Sequence, residues 1–356
     1  MVLPFINGRT KKRDQIVAID LGGRTTKAVH LQRLNDRLTL SRYALLDAPV
    51  QKSFSVDVFT EHLKAVVEAL GTKTKLVALA LGVSDSLVRQ ADLPQMPIPD
   101  MRQILKINSK AYLQQDMPNH VFDCYIIPPR QIARPDEKAR LNPVSLKLKV
   151  LVAGAKKQLV ADLQVAALNA GLLADTIAPG LIGPLNAFEL ALPDNFAKDI
   201  IAIVDIGFKN TAISLLQEGE LMLNRVVAIG GDKLTAGLAE SMGISYAEAE
   251  GIKVGMPTEV QPTLESMVTP LGRELRASID FFEHQQERHV SQVYLTGGSA
   301  RSEFIVKILE SEMMVPCRAW SPVSSLQLAL SPQQTLEIDQ IAPQLTVAIG
   351  TAAAAL

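Results

Sequence analysis

One seven-residue pattern occurs twice in this chain, each time directly behind an apolar run. Residues 16–29 read IVAIDLGGRTTKAV and residues 201–214 read IAIVDIGFKNTAIS. A shift of 185 positions carries Asp20 onto Asp205, Gly22 onto Gly207, Thr26 onto Thr211 and Ile16 onto Ile201. The shared pattern is Asp-x-Gly-x-x-x-Thr. A single copy reads better as a tight turn with a capping Asp. Two copies in matched contexts predict a duplicated domain. The chain has 356 residues, which suits two domains or subdomain pairs.

The rest of the chain supplies the elements such domains need. Ile16–Ile19 form a continuous apolar run of the kind found in buried strands. Residues 26–33 and 37–45 predict two further strands, with Asn35 and Asp36 in the turn between them. Residues 57–70 have helical spacing and stop at Gly71, and 75–83 reads as another buried strand. Three prolines crowd LPQMPIPD (93–100) and mark a boundary. Beyond it the pattern predicts a small inserted subdomain. It has a helix near 100–115, strands near 121–127 and 144–153, and a charged loop between them. A helix near 156–170 closes at Gly171, and residues 175–192 read as an apolar helix. After the second motif the pattern predicts strands near 211–216 and 221–228 and a helical region over 231–289. A strand–turn–helix unit follows at 291–311, and residues 345–356 read as a helix packed inside the first half. Strands alternating with helices around two duplicated cores argue for α/β architecture with a cleft between the halves.

The chemistry of the two motifs follows from where they end. A carboxylate at the carboxyl end of a strand stands on the edge where α/β sheets bind ligands. Glycine lets backbone N–H groups approach an anion closely, and threonine hydroxyls add donors. The first loop offers Asp20, Gly22, Gly23, Thr25, Thr26 and Lys27. The second offers Asp205, Gly207, Lys209, Asn210 and Thr211. Asp20 and Asp205 would repel phosphate directly. A hydrated Mg²⁺ between carboxylate and phosphates resolves this, and both Asp residues are therefore candidate metal ligands. Lys27 and Lys209 either add positive charge there or point to solvent. Two further segments suit a nucleotide. VYLTGGSARSEFI (293–305) places Gly297, Gly298, Ser299 and Arg301 between a strand and a helix. Gly230 and Gly231 precede another helix, and Glu250 and Lys253 lie three apart on one helical face. That pair suits ribose hydroxyls and a base edge; the alternative is a surface salt bridge.

Composition narrows the remaining classes. Net charge is −1, so no global field draws the chain to nucleic acid or anionic lipid. The two cysteines, Cys124 and Cys317, read as reduced thiols, and five histidines form no ligand pattern, so no zinc is expected. No run is apolar enough to span a bilayer, and MVLPFINGRTKKR lacks the order of a secretory signal. That arm either touches a membrane through Leu3, Phe5 and Ile6 beside Lys11, Lys12 and Arg13, or is a mobile terminus.

Together these pieces resemble the actin-like ATPase superfamily, which includes actin, DnaK-type chaperones, sugar kinases and FtsA. Asp20-Leu-Gly22 and Asp205-Ile-Gly207 look like its two phosphate loops, and Leu295–Ser299 like its adenosine motif. Within it the chain is similar to the PilM family of type IV pilus assembly, from about residue 16 to the end. AIDLGGRTTKAV, LPQMPI, VLVAGAKKQLVADLQVAALNAGL, GGDKLTAGLAESMGISYAEAEGIK and AIGTAAAAL carry the likeness. The resemblance implies two ribonuclease-H-like domains around a nucleotide cleft. It divides the chain into a first domain (14–90), an inserted interaction subdomain (91–156), a return to the first domain (157–195), a second domain (196–330) and a final return (331–356). It implies ATP and Mg²⁺ as cofactors and a cytoplasmic location, peripheral to the inner membrane. It also implies docking of the cytoplasmic tail of a PilN-like inner-membrane protein, linking the cytoplasm to the pilus assembly platform; self-association stays open. One departure matters. Family members often carry an acidic residue between the two phosphate loops, whereas ADTIAPGLIGPLNAFEL (174–190) has Asp175 and Glu189 but no carboxylate from 176 to 188. The expectation is ATP binding with slow or absent hydrolysis. The alternatives are an FtsA-like filament-forming division protein and a small-molecule kinase of the same fold.

Overall fold

The structure, a computed structural model, describes residues 1, 13–49, 54–128, 147–255 and 260–356. The apolar arm residues Leu3, Phe5 and Ile6, with Lys11 and Lys12, and the charged loop near 130–143 lie outside the described residues. The chain forms β1 (Gln15–Asp20), β2 (Thr25–Leu34), β3 (Arg37–Asp47), α1 (Val56–Leu70), β4 (Leu76–Leu81), β5 (Ser86–Pro94) and α2 (Ile98–Leu113). Next come β6 (His120–Ile126), β7 (Lys147–Lys156), α3 (Lys157–Asn169), β8 (Leu173–Pro179), α4 (Gly183–Ala191) and α5 (Pro193–Lys198). The second half holds β9 (Ile200–Ile206), β10 (Thr211–Gln217), β11 (Glu220–Val227), α6 (Gly231–Met242), α7 (Tyr246–Gly255) and α8 (Gln261–Gln286). It ends with β12 (Gln292–Thr296), α9 (Glu303–Met313), β13 (Cys317–Ala319), β14 (Gln327–Leu328), α10 (Pro332–Ile341) and α11 (Thr346–Ala355).

The duplication read from the motifs extends to the sheets. One sheet runs β14-β3-β2-β1-β4-β8 and the other β11-β10-β9-β12-β13. In each, an antiparallel pair of strands leads to a central strand, and two parallel strands follow it; the first sheet adds β14, parallel to β3, at its outer edge. Asp20 pairs with Lys27 across the first hairpin, and Asp205 with Ala212 across the second, so the offset of the motifs also relates the registers. Asn35 and Asp36, with φ of 48° and 62°, make the left-handed hairpin turn between β2 and β3. Gly71, at φ 67°, stops α1.

The strand alternation sets which helices pack where. Val17 and Ile19 face α1 and α3, while Ile16 and Ala18 face a central core shared with the second sheet. That core takes Leu185 and Phe188 from α4, Ala348 and Ile349 from α11, and Ile201 and Ile203 from β9. The opposite face of the second sheet packs on α6, α8 and α9. The inserted sheet, β5-β7-β6, carries α2 on one face through Leu93, Met101 and Leu105. Its edge reaches the second domain, where Gln90 donates to the Leu221 carbonyl at 2.6 Å.

One segment departs from the sequence expectation. Residues 175–192 were expected to be a single helix, but Leu173–Pro179 is the buried strand β8, parallel to β4, and the helix begins at Gly183 after a 3₁₀ turn. An apolar run alone does not separate a buried strand from a buried helix. The Pro179-Gly180 step breaks it.

Candidate functional site

The two glycine turns face one another across a cavity of about 650 Å³, a volume that suits a small-molecule cofactor. Asp20, Gly22, Gly23, Thr25 and Lys27 line it from the first domain, and Asp205, Gly207, Lys209 and Asn210 from the second. Gly231, Glu250, Lys253, Gly297, Gly298, Ser299 and Arg301 complete the second-domain wall. Thr26, Thr211 and Gly230 are outside the lining. Thr26 is buried and shares a hydrogen bond of 2.8 Å with His62 of α1, and Thr211 Oγ1 donates to the Ile229 carbonyl at 2.7 Å. Gly230 is a packing residue, since a Cβ there would lie 2.4 Å from the Phe208 carbonyl oxygen. Gly297 holds φ at 90°, and its Cβ would sit 2.6 Å from Asp205 Oδ1. Glycine is what lets the adenosine-type turn close onto the second Asp.

The electrostatics of the cleft are uneven. Lys27 Nζ donates to Asp20 Oδ2 at 3.0 Å. Burial pushes the Asp205 carboxyl up to about 6, Lys27 pulls it down, and the Asp20 charge adds to the rise. Lys253 is 3% exposed and donates to Glu250 Oε2 and to Thr235 Oγ1, both at 2.7 Å. Burial lowers the Lys253 amine below its usual value, against the pull of Glu250. Burial pushes Glu250 upward, but the bonds from Lys253 and Thr235 more than reverse this and leave its carboxyl below the ordinary value. The pair therefore joins a buried Lys253 to a Glu250 that is 28% exposed toward the cavity.

Among the described residues no cluster of three or more His, Cys, Asp or Glu gathers. A Mg²⁺ in this cleft would take one or two carboxylates and fill its shell with water and phosphate oxygens, as Mg²⁺ prefers. Asp20 and Asp205, near the carboxyl ends of the central strands of the two sheets and both lining the cavity, fit that donor set. The two thiols are unsuited to nucleophilic roles, because burial pushes Cys124 and Cys317 each up to about 12.

Several lining residues carry no sequence signal of their own. Asp47, Ser84 and Asp85 line the cavity from the first domain, Gln344 and Thr346 from the C-terminal return, and Arg24 from the first turn. Asn210 donates to Ser84 at 2.8 Å across the cleft. Burial raises the Asp85 carboxyl above its usual value, partly offset by Lys156. Asp175 sits on β8 outside the lining, where Arg13 of the N-terminal region donates to its carboxylate and to the Ala355 carbonyl.

Comparison with known proteins places this geometry. The chain is 22% identical over 257 residues to the cell division protein FtsA of Bacillus subtilis (strain 168), covering 67% of this chain and 57% of that protein. The chain thus spans 57% of the length of that curated relative. Among solved structures it is similar to a chain of a PilM–PilN type IV pilus biogenesis complex, with a TM-score of 0.80 at 20% identity, covering 96% of this chain and 98% of that one. It is also similar to the ethanolamine utilization protein EutJ from Carboxydothermus hydrogenoformans, with a TM-score of 0.55 at 16% identity, covering 98% and 92%. The fold is that of the actin-like ATPases. The family model described as "Type IV pilus assembly protein PilM" matches residues 18–355, and the chain belongs to that family.

Proposed function

We propose that this protein is an ATP-binding scaffold of type IV pilus assembly, held at the cytoplasmic face of the inner membrane by the cytoplasmic tail of a PilN-like protein. The observation that carries the nucleotide half is the meeting of the two glycine turns, far apart in sequence, on one cavity with a carboxylate at each strand end. Gly22, Gly23, Thr25 and Lys27 on one side, with Gly207, Lys209 and Asn210 on the other, would hold the phosphates. Gly231, Glu250 and Lys253 would take the ribose and base edge, and Gly297, Gly298, Ser299 and Arg301 the adenosine. Asp20 and Asp205 would hold Mg²⁺ through water, and the metal would neutralise the phosphate charge between them. Family membership supports the pilus setting, and likeness to the PilM–PilN complex supports the PilN-like partner. Among the described residues no helix is long and apolar enough to cross a membrane, which fits attachment through a partner. A groove beside the inserted subdomain is where we place the tail.

In this reading nucleotide sets cleft closure, and closure sets partner affinity. Turnover is slow or absent. The segment 174–190 brings Gly180 to the cavity but no carboxylate, and Asp175 is occupied by Arg13. Such a carboxylate is what would orient an attacking water.

Calorimetric titration with Mg-ATP, with phosphate release followed on the same sample, tests the nucleotide half. Saturable binding without release is expected. Steady release would move the protein toward the enzymes of this fold, with Asp85 the cleft carboxylate to replace first. No binding would remove ATP from the proposal. A labelled peptide of a PilN-like tail, titrated with and without Mg-ATP, tests the partner half. Its affinity is expected to change with nucleotide, and a peptide that never binds defeats the scaffold reading.

A further inference from the structure

Arg24 stands at the tip of the first glycine turn, behind Gly22 and Gly23. Its carbonyl accepts from the Ala48 N–H at 2.8 Å, which fixes the backbone of the tip to the end of β3. Its side chain then leaves the first domain. The guanidinium carbon lies 5.5 Å from the Phe208 ring centroid and 5.8 Å from that of Tyr246. Arg24 Nη1 is 3.8 Å from Glu250 Oε2. Phe208 belongs to the second glycine turn, Tyr246 opens α7, and Glu250 lies one turn further along it. All three partners are on the opposite domain.

Three of the neighbouring cations are held by hydrogen bonds within their own domain, and Arg24 is not. Lys27 is bound to Asp20 at 3.0 Å, and Lys253 to Glu250 at 2.7 Å with a nearly buried side chain. Arg301 Nε donates to the Gly298 carbonyl at 3.1 Å. Arg24 has two aromatic faces and a carboxylate beyond hydrogen-bond reach, and its side chain is 45% exposed. Contacts of that kind hold weakly and exchange easily. A guanidinium offers a planar fork that matches phosphate oxygens in paired hydrogen bonds.

We propose that Arg24 sets the preference of this cleft for a nucleoside triphosphate. Arg24 and Glu250 pair with one another while no ligand is bound. A nucleotide parts them, its ribose hydroxyls taking Glu250 and its terminal phosphate taking Arg24. This rests on the nucleotide reading of the site. The exchange is complete only for a ligand with both ends. A nucleoside without phosphates must still displace Arg24 from Glu250 and leaves the guanidinium with nothing in return.

The two ends therefore respond to Arg24→Gln with opposite sign. Calorimetric titration of the full chain with Mg-ATP, ADP and adenosine reads this directly. In Arg24→Gln, ATP is expected to weaken about tenfold, as for the loss of charge-assisted bonds. Adenosine is expected to tighten by about twofold, as for release of a weak exposed pair, and ADP to fall between the two. Arg24→Lys keeps the charge and recovers part of the ATP-to-adenosine ratio. A ratio unchanged in Arg24→Gln overturns the proposal. So does weakening of both ligands by one factor, which would mean that Arg24 only shapes the loop, and so does a lysine variant that recovers nothing. These outcomes leave the nucleotide reading standing if the wild-type protein binds ATP. A wild-type protein that binds neither ATP nor adenosine overturns both.

Discussion

Asp205 shows at the scale of one residue how a binding cleft is stored as strain in the fold. Its carboxyl is pushed to about 6 by burial and by Asp20, against the pull of Lys27. A free Asp titrates near 3.8. The folded protein thus holds this proton more tightly than the unfolded chain, and the stability it confers is complete below pH ~4. That stability is lost as pH rises through about 6, to the extent of about 3 kcal/mol. Asp205→Asn removes the charge and keeps the shape. Thermal unfolding of the ligand-free variant is expected at or above the wild-type temperature at pH 7.5, with a clearly smaller advantage at pH 4.5. A variant destabilised equally at both pH values would show that the carboxylate is not under strain. The motif made Asp205 legible in the sequence, because it occurs twice in matched contexts. The hydroxyls behind it were less legible. Thr25 and Lys27 line the cavity, whereas Thr26 turns to His62 on the other face of β2. The period-two alternation of a strand is the signal that separates them. Asp47 and Asp85 gave no signal, because what brings them to the cleft is the meeting of segments distant in sequence; Arg24 lies inside the first turn, and only its reach across the cleft was illegible.

At the scale of elements, two short helices connect the domains, and glycine sets how closely they cross. A Cβ on Gly350 of α11 would lie 1.8 Å from the Gly183 carbonyl oxygen at the start of α4, and one on Gly183 would lie 2.8 Å from that of Val347. Residues 346–352 of α11 are all buried, so the helix has no free side to turn toward solvent. Gly350→Ala must therefore push two backbones apart within the central core. A loss of about 3 kcal/mol or more is expected, at the upper end for overpacking because backbone and not a side chain is struck. Denaturant unfolding measures it, and a midpoint within error of wild type would show that the crossing is looser than these contacts require. The apolar run of residues 345–356 predicted this helix and its burial. The run at 175–192 gave the wrong element because it is apolar through most of β8 and through the fully buried start of α4, Gly183–Phe188, and such a run shows neither period clearly. Length, Pro179 and Gly180 were the better guides there.

For the whole molecule, the question is what holds the two domains at their present separation. Behind the cavity the link is deep: Gly297 N–H donates to the Pro343 carbonyl at 3.0 Å, and Thr296 and Thr346 share a buried hydrogen bond of 2.6 Å. At the mouth it is thin. Asn210 reaches Ser84 at 2.8 Å, and Arg24 crosses to Phe208, Tyr246 and Glu250. A clamp with a strong back and a weak front opens by rotation about the back. Ser84→Ala removes one front contact without touching the core, a loss of about 1 kcal/mol that shifts an open–closed equilibrium roughly fivefold. Solution scattering of the ligand-free protein is expected to show a larger radius of gyration in Ser84→Ala than in wild type. Mg-ATP is expected to bring the two together, since a ligand that touches both walls favours the closed state by its own affinity. A variant indistinguishable from wild type without ligand would mean that the cleft is held by its back alone, and nucleotide could then signal to a partner only through α4 and α11.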